Sequence, residues 1–258
     1  MFFSDATYQQ WMHFLLILTR CSALVALLPF FGSANIPDTV KAGLSMALAV
    51  FLHPIVKIDP ALFPTGLDSF LILAFGELMI GAILGFAVRL LFSAVQIMGH
   101  LAGFQMGFSV ANVLDPMGGE QVSVIGQFCY VIAILVFFAV GGHHWFFSAA
   151  AESFAIVPPG QFAFSRILFD QLTTMTADMF ELALKLGAPV IGVLLAADVA
   201  MGVLAKTVPQ MNILIVGMPL KIGVGLFFLA LTMGFMIVTM GASFRDLGPV
   251  LGSFLKAM

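Results

Sequence analysis

Apolar residues in this chain run in long blocks set off by prolines, glycines and clustered charges. Taking about 20 mostly apolar residues as one membrane crossing, six hydrophobic segments emerge. The first runs from about Trp11 to Phe31 and ends at the turn Gly32-Ser33-Ala34-Asn35-Ile36-Pro37. Asp38 or Thr39 then caps a second helix to about Val56, and the polar, proline-rich stretch from Lys57 to Gly66 reads as a surface loop. The third segment continues from Asp68 to about Phe104 without a proline. That is roughly twice the length of one crossing, so it is either one long helix or a tight hairpin. The residues Gly107 to Gly119 that follow are too rich in turn formers for continuous helix and predict an internal, irregular loop.

A fourth apolar run, Gln121 to Ala151, carries Gly141-Gly142-His143-His144 as the tip between two helices and is stopped by Pro158-Pro159-Gly160. The more polar stretch Gln161 to Thr176 predicts an interfacial connection. A fifth segment, Thr176 to Lys206, is expected to break at Pro189, and the last, Ile213 to about Thr239, to be kinked or delayed by Pro219. A short polar tail with Arg245, Asp246 and Lys256 closes the chain, and no internal repeat is visible.

Composition sharpens this pattern. Of the 258 residues 61% are hydrophobic and 9% charged, whereas a soluble domain carries about 25% charged residues. Such a chain cannot cover a water-facing surface, and the predicted class is an all-α integral membrane protein with broken helices and helical hairpins, one membrane-embedded unit over residues 1–258. The net charge of −3 and the ten scattered Lys and Arg exclude the basic patch of a nucleic-acid binder. Cys21 and Cys129 sit in apolar runs as small hydrophobes, with no disulfide framework or zinc spacing. The first basic residue, Arg20, comes after the run Phe14 to Leu18 has begun, so a retained first helix is expected rather than a signal peptide. Charges in the loops are too few and too mixed to set an orientation.

Ionisable residues within apolar segments are functional candidates by default. Glu77 and Arg89 lie twelve positions apart on one segment and must each find a partner elsewhere. Glu181 and Lys185 have the favourable i,i+4 order for a structural ion pair, and Asp198 and Lys206 read as a helix-end anchor or part of a polar path. His100 is the mid-run histidine, and His143 and His144 fall at a loop tip with no accompanying metal spacing. These are too few for the midplane cluster of a proton-coupled carrier. No nucleophile elbow, P-loop, dinucleotide fingerprint or paired-carboxylate site occurs, so neither enzymatic activity nor a cofactor is expected.

Small residues carry a different signal. Gly81 and Gly85 make one small-xxx-small pair, and Gly99, Gly103 and Gly107 a longer stripe leading into the irregular loop; such stripes let helix backbones approach closely. Irregular backbone at membrane depth is tolerated only when buried in protein or lining a cavity, so the loop is expected in an enclosed place. Most of the 16 methionines read as core filling, Met233, Met236 and Met240 among them. Met106 and Met117, and Met211 and Met218, flank the irregular places and suit a flexible seal.

Several strings together resemble the FliR family of flagellar export-gate proteins: Asn35-Ile36-Pro37-Asp38-Thr39-Val40-Lys41; Gly76-Glu77-Leu78-Met79-Ile80-Gly81 with Gly85-Phe86; and Gly103-Phe104-Gln105-Met106-Gly107-Phe108-Ser109 leading to Asp115-Pro116. So do Gly142-His143, Glu152-Ser153-Phe154 with Pro158, Pro209-Gln210-Met211-Asn212, and Gly217-Met218-Pro219-Leu220-Lys221-Ile222. They fall in order and cover nearly the whole chain.

The resemblance implies a subunit of a type III secretion export gate in the bacterial inner membrane, within the flagellar basal body. It implies FliP and FliQ as partners in a hetero-oligomer, FlhB and FlhA as further neighbours, and unfolded flagellar proteins as the substrates that cross. The implied fold is a FliP-like part, about residues 1–205, followed by a FliQ-like hairpin made by about 206–258 with the preceding helix. The family's plug falls on Gln105, Met106, Gly107, Phe108, Asp115, Pro116, Met117, Gly118 and Gly119. Contacts between subunits or helices are assigned to Glu77, Gly81, Gly85, Gly99, Gly103, Pro209, Gln210, Met211, Asn212 and Lys221. The rival class is a self-contained permease or proton-coupled carrier, which the missing repeated half disfavours.

Overall fold

Long apolar stretches fold as helices because the backbone then satisfies its own hydrogen bonds and presents no polar group to lipid or a dry interior. In the computed structural model, which describes residues 5–31, 36–56, 66–108, 123–208, 210 and 213–258, the helices are α1 (Asp5–Leu27), α2 (Asp38–Leu52), α3 (Leu67–Met106), α4 (Val124–Ala139), α5 (Gly142–Ile156), α6 (Arg166–Thr207), α7 (Ile213–Arg245) and α8 (Leu247–Ala257). Among the described residues no strand occurs. The protein is an all-α membrane protein: Gln9–Leu27, Asp68–Met106, Arg166–Thr207 and Ile215–Ala257 are each long and apolar enough to cross, and α4 with α5 adds a fifth span if the two count as one.

Several helix boundaries differ from those expected. The third segment is a single helix of 40 residues, not a hairpin, about 60 Å at 1.5 Å per residue. Pro189 does not break α6, which runs uninterrupted over 42 residues; one proline deletes one backbone donor, and a helix this long keeps the rest of its ladder. The stretch 161–176 is not a connection beyond its first residues, because Ser165 accepts the Leu168 N–H at 3.1 Å and starts α6 at Arg166. Thr173 and Thr174 then donate back to the carbonyl of Asp170 at 2.9 and 2.8 Å, hiding polar groups inside the helix. The polar tail is helical as well: α8 buries Leu247, Leu251, Phe254 and Leu255 on one face. Glu181 and Lys185 are both exposed, and no ion pair joins them; two long side chains free in their surroundings gain little by being held together.

The contacts divide the chain into two units. The first holds residues 1–90, 141–175 and 245–258. Here Ile17 and Cys21 of α1 pack with Ala49, Leu52 and Val56 and with Phe154 of α5. The end of α8 is tied down where Ala163 N–H donates to the Met258 carbonyl at 3.2 Å and the Ser165 hydroxyl to that of Ala257.

The second unit holds residues 91–140 and 176–244. Phe92, Phe137 and Phe244 form a triangle with ring centroids 5.0 to 5.5 Å apart, the offset spacing aromatic quadrupoles favour. The start of α4 lies directly on α3: a Cβ at Gly99 would stand 2.5 Å from the Gly126 Cα, and one at Gly103 2.5 Å from the Ser123 hydroxyl. Only absent side chains allow two backbones so close.

Gly99→Ala therefore forces backbone apart, and overpacking of this kind costs about 1–3 kcal/mol. At Gly192 of α6 an added Cβ meets nothing within 4 Å, so Gly192→Ala is expected to be neutral or to stabilise by about 0.5–1 kcal/mol through helix propensity. Thermal unfolding of the purified chain in detergent should give a lower midpoint for the first and an unchanged or higher one for the second. Equal midpoints would contradict the close approach.

Candidate functional site

The first candidate grows out of a register between two helices. On α1, Leu16, Ile17, Arg20, Cys21, Leu24 and Val25 recur at helical spacing and are all buried, so Arg20 is carried inward by its position in the stripe. On α3, Glu77, Gly81 and Gly85 recur every fourth residue and share a face. A Cβ at Gly81 would lie 2.5 Å from the Arg20 carbonyl oxygen, and one at Gly85 2.7 Å from Leu27 Cβ. The glycines bring the α3 backbone onto α1, and Glu77, one turn earlier, reaches Arg20.

The resulting contacts engage every nitrogen of the guanidinium and both oxygens of the carboxylate. Arg20 Nε donates to Glu77 Oε2 at 2.6 Å, Nη1 to Ser153 Oγ at 3.1 Å and Nη2 to the Val157 carbonyl at 3.0 Å. Glu77 Oε1 accepts the Gly160 N–H at 3.2 Å, and the Ser153 hydroxyl donates on to the Ala150 carbonyl at 2.7 Å. The guanidinium carbon lies 4.0 Å from the Phe154 ring centroid, a cation–π seat. Both side chains are 0% exposed. Gly160 reaches Glu77 with φ of +87°, a conformation that favours glycine. One buried point thus ties α1, α3, α5 and the turn after α5 together.

The second unit has its own ion pair. Lys221 Nζ of α7 lies 2.7 Å from Asp198 Oδ1 and 3.0 Å from Oδ2 on α6, with side chains 17% and 39% exposed. Asp198 thus pairs across to α7, while Lys206, in the last turn of α6, is exposed.

The end of α3 forms the described edge of the expected plug. Phe108 N–H donates to the Gly103 carbonyl at 3.1 Å and Gly107 N–H to that of Phe104 at 3.0 Å, with Gly107 at φ +92°. This is a Schellman C-cap, which needs a left-handed residue at that position. Met106 is fully buried and fills the side-chain space over Gly225 of α7, where an added Cβ would meet its Cγ at 2.6 Å and its Cε at 2.7 Å. Gln105 and Phe108 are half-buried. On the other foot of segment 109–122, Ser123 accepts the Gly126 N–H at 3.2 Å and caps α4. Its hydroxyl also donates to the Gly99 carbonyl at 3.4 Å, so both feet are held on the last turns of α3.

Asp115, Pro116, Met117, Gly118 and Gly119 lie outside the described residues, as do Pro209, Met211 and Asn212; Gln210 is exposed. Among the described residues no three His, Cys, Asp or Glu side chains converge as a metal site requires. Reasoning from sequence missed Arg20 as the partner of Glu77, although its place among Leu16, Ile17, Cys21 and Leu24 is a burial signal. It also missed the pairing of Asp198 with Lys221, which no spacing within one helix announces.

Comparison with known proteins places the chain. The family described as bacterial export proteins, family 1, matches residues 11–247. A flagellar biosynthetic protein FliR of Bacillus subtilis is 37% identical over 229 residues, 87% of each chain, and that of Aquifex aeolicus 30% identical over 243 residues, covering 94% of this chain and 93% of the relative. The secretion system apparatus protein SsaT of Salmonella typhimurium is 28% identical over 209 residues, 78% of this chain and 79% of its own.

Removing one partner of a buried pair strands the other charge and costs about 3–5 kcal/mol, whereas an apolar replacement of both is often near neutral. Glu77→Leu is thus expected to cut the amount of folded chain in membranes steeply, and Arg20→Met with Glu77→Leu to recover much of it. Detergent-resistant folded chain, measured by size-exclusion fluorescence, checks this. A double variant as depleted as the single one would show that the pair itself is not what fails.

Proposed function

Because this chain belongs to family 1 of the bacterial export proteins, we propose that it is a subunit of the flagellar type III export gate, which with FliP and FliQ forms and seals the pore for unfolded flagellar substrates. The gate sits in the inner membrane within the flagellar basal body, with FlhA and FlhB as further neighbours. The chain then comprises a FliP-like part to about residue 205 and a FliQ-like hairpin that uses 206–258 with the helix before it. Glu77, Gly81, Gly85, Gly99 and Gly103 support packing, and Lys221 and Pro209 to Asn212 lie where neighbours meet.

The observation that carries this reading is the pair of anchored feet around segment 109–122: a glycine-capped helix end at Gly107 and a serine-capped helix start at Ser123, both seated on α3. Fixed feet suit a plug that must return to one closed position after each substrate. Within the plug, residues from Gln105, Met106, Gly107 and Phe108 to Asp115, Pro116, Met117, Gly118 and Gly119 fill the closed pore. Thioether and phenyl side chains seal an irregular gap because Met adapts its shape and both exclude water. The glycines let the backbone fold aside.

Deletion of Val110 to Gly118 is expected to raise the closed-state conductance of the assembled gate in a planar bilayer, with the complex still recovered. A conductance equal to that of the unaltered gate would contradict the sealing role.

A further inference from the structure

Lys41, in the first turn of α2, belongs neither to the core of the first unit nor to its buried ion pair. Its ammonium lies 3.0 Å from Asp38 Oδ1, yet that carboxylate is 95% exposed and the lysine side chain only 21%. A pair so open on its acidic side is weak, and the covered part of Lys41 lines a hollow of about 550 Å³ within this unit. Leu15, Leu18 and Ala26 of α1, Ala42 and Met46 of α2 and Phe70 of α3 form its apolar wall. The hydroxyls beside them leave that character unchanged: Thr19 donates to the Leu15 carbonyl, Ser22 to that of Thr19 and Ser45 to that of Lys41, each at 2.8 Å. Among the described residues that line the hollow, Lys41 carries the one charge. Met46 also lines a second hollow of about 540 Å³, with Phe14, Trp11 and His53, so the two join into one groove along α1 and α2.

The charge sits at a definite level. Gln9–Leu27 is long and apolar enough to cross a membrane, and Ser22 and Ala26, which share the hollow with Lys41, lie in the last two turns of that stretch. A lysine at the end of a crossing lays its stem on apolar surface and holds its ammonium among the lipid headgroups. From Ala26 back to Phe14 is about 18 Å of helix at 1.5 Å per residue, and half of a 30 Å hydrocarbon core is about 15 Å. The groove thus has a cationic head at headgroup level and an apolar slot about one leaflet deep.

We propose that this groove holds an anionic phospholipid, its phosphate against the Lys41 ammonium and one acyl chain laid between α1 and α2 toward Met46. An ammonium has three donors and no acceptor, and Asp38 takes one of them, which leaves two for phosphate oxygens. A basic pocket between membrane helices is a form that lipid headgroup recognition takes. A helix from another protein fits less well, since one turn with its side chains occupies about 400–600 Å³ and each hollow would seat a single turn.

The test places the full chain in nanodiscs of phosphatidylglycerol and phosphatidylethanolamine in equal parts and reads the lipid it retains by native mass spectrometry. The unaltered chain should retain phosphatidylglycerol in preference, and Lys41→Ala should lower that preference about fivefold, the worth of one lysine at an anionic membrane surface. Asp38→Asn should raise it, because the competing carboxylate is gone, and Lys41→Arg should keep it. Ala42→Trp, which fills the slot, should lower retention of both lipids; size-exclusion fluorescence should show the same amount of folded chain for all four variants. Phosphatidylglycerol with a photoactivatable acyl chain should label the peptide that contains Met46. Equal retention of the two lipids, an unchanged preference in Lys41→Ala, or displacement by inorganic phosphate alone would overturn the proposal. So would a benzoylphenylalanine at Met46 that, in cells making the whole export apparatus, crosslinks to protein instead of lipid.

Discussion

The buried pair of Arg20 and Glu77 is the constraint to which the first unit answers. Two full charges at 2.6 Å with no exposure are tolerable only where their other polar atoms find partners, and here Ser153 and the Val157 carbonyl meet the two Nη atoms and the Gly160 N–H meets Glu77 Oε1. A slip of one residue in α1 or α3 would leave a naked charge in a dry interior. Pairs of this type add little net stability over apolar packing but make the alternatives costly. Where the packing faces are otherwise largely apolar, and therefore tolerant of many registers, that discrimination favours a single arrangement.

Close backbone approach is the second device, and it is linked to the first. Gly81 lets Glu77 reach α1, and Gly99 and Gly103 let Ser123 cap α4 against α3. Methionine takes the complementary part: Met106 fills the space over Gly225, and Met98 lies beside Gly187, where an added Cβ would be 3.2 Å from its Cγ. A thioether over a glycine packs well in one position and can re-pack at low cost in another. The places that hold position are thus built from Arg, Glu and Gly, and the described edge of segment 109–122 at the end of α3 is built from Met and Gly.

The hydrophobic blocks made the class and most helix positions legible, because an apolar run of 20 or more residues has few other ways to satisfy its backbone. Turn chemistry was legible where glycine carried it: Gly141 and Gly160 have φ of +76° and +87° and lie at the breaks read from sequence. What could not be read came from polar residues that satisfy themselves within a helix. Thr173 and Thr174 made the start of α6 look like a connection, and Pro189 looked like a break because its one lost hydrogen bond is easily overweighted in a helix of 42 residues. Of the site, the glycine stripes were legible from spacing alone. The partners of Glu77 and Lys221 were not, since Arg20 and Asp198 stand 57 and 23 positions away in sequence and only tertiary packing brings them near.

Under the proposed gate reading, the exposed apolar residues on α3, α6 and α7 of a chain with 9% charge are covered by other proteins as well as by lipid. The mass of the complex released intact from membranes and measured under native conditions tests that claim most directly. A particle heavier than the 27.6 kDa chain, containing it together with different small hydrophobic chains, is the predicted result. A particle of 27.6 kDa or a whole-number multiple of it would contradict the claim and point to a self-contained membrane protein.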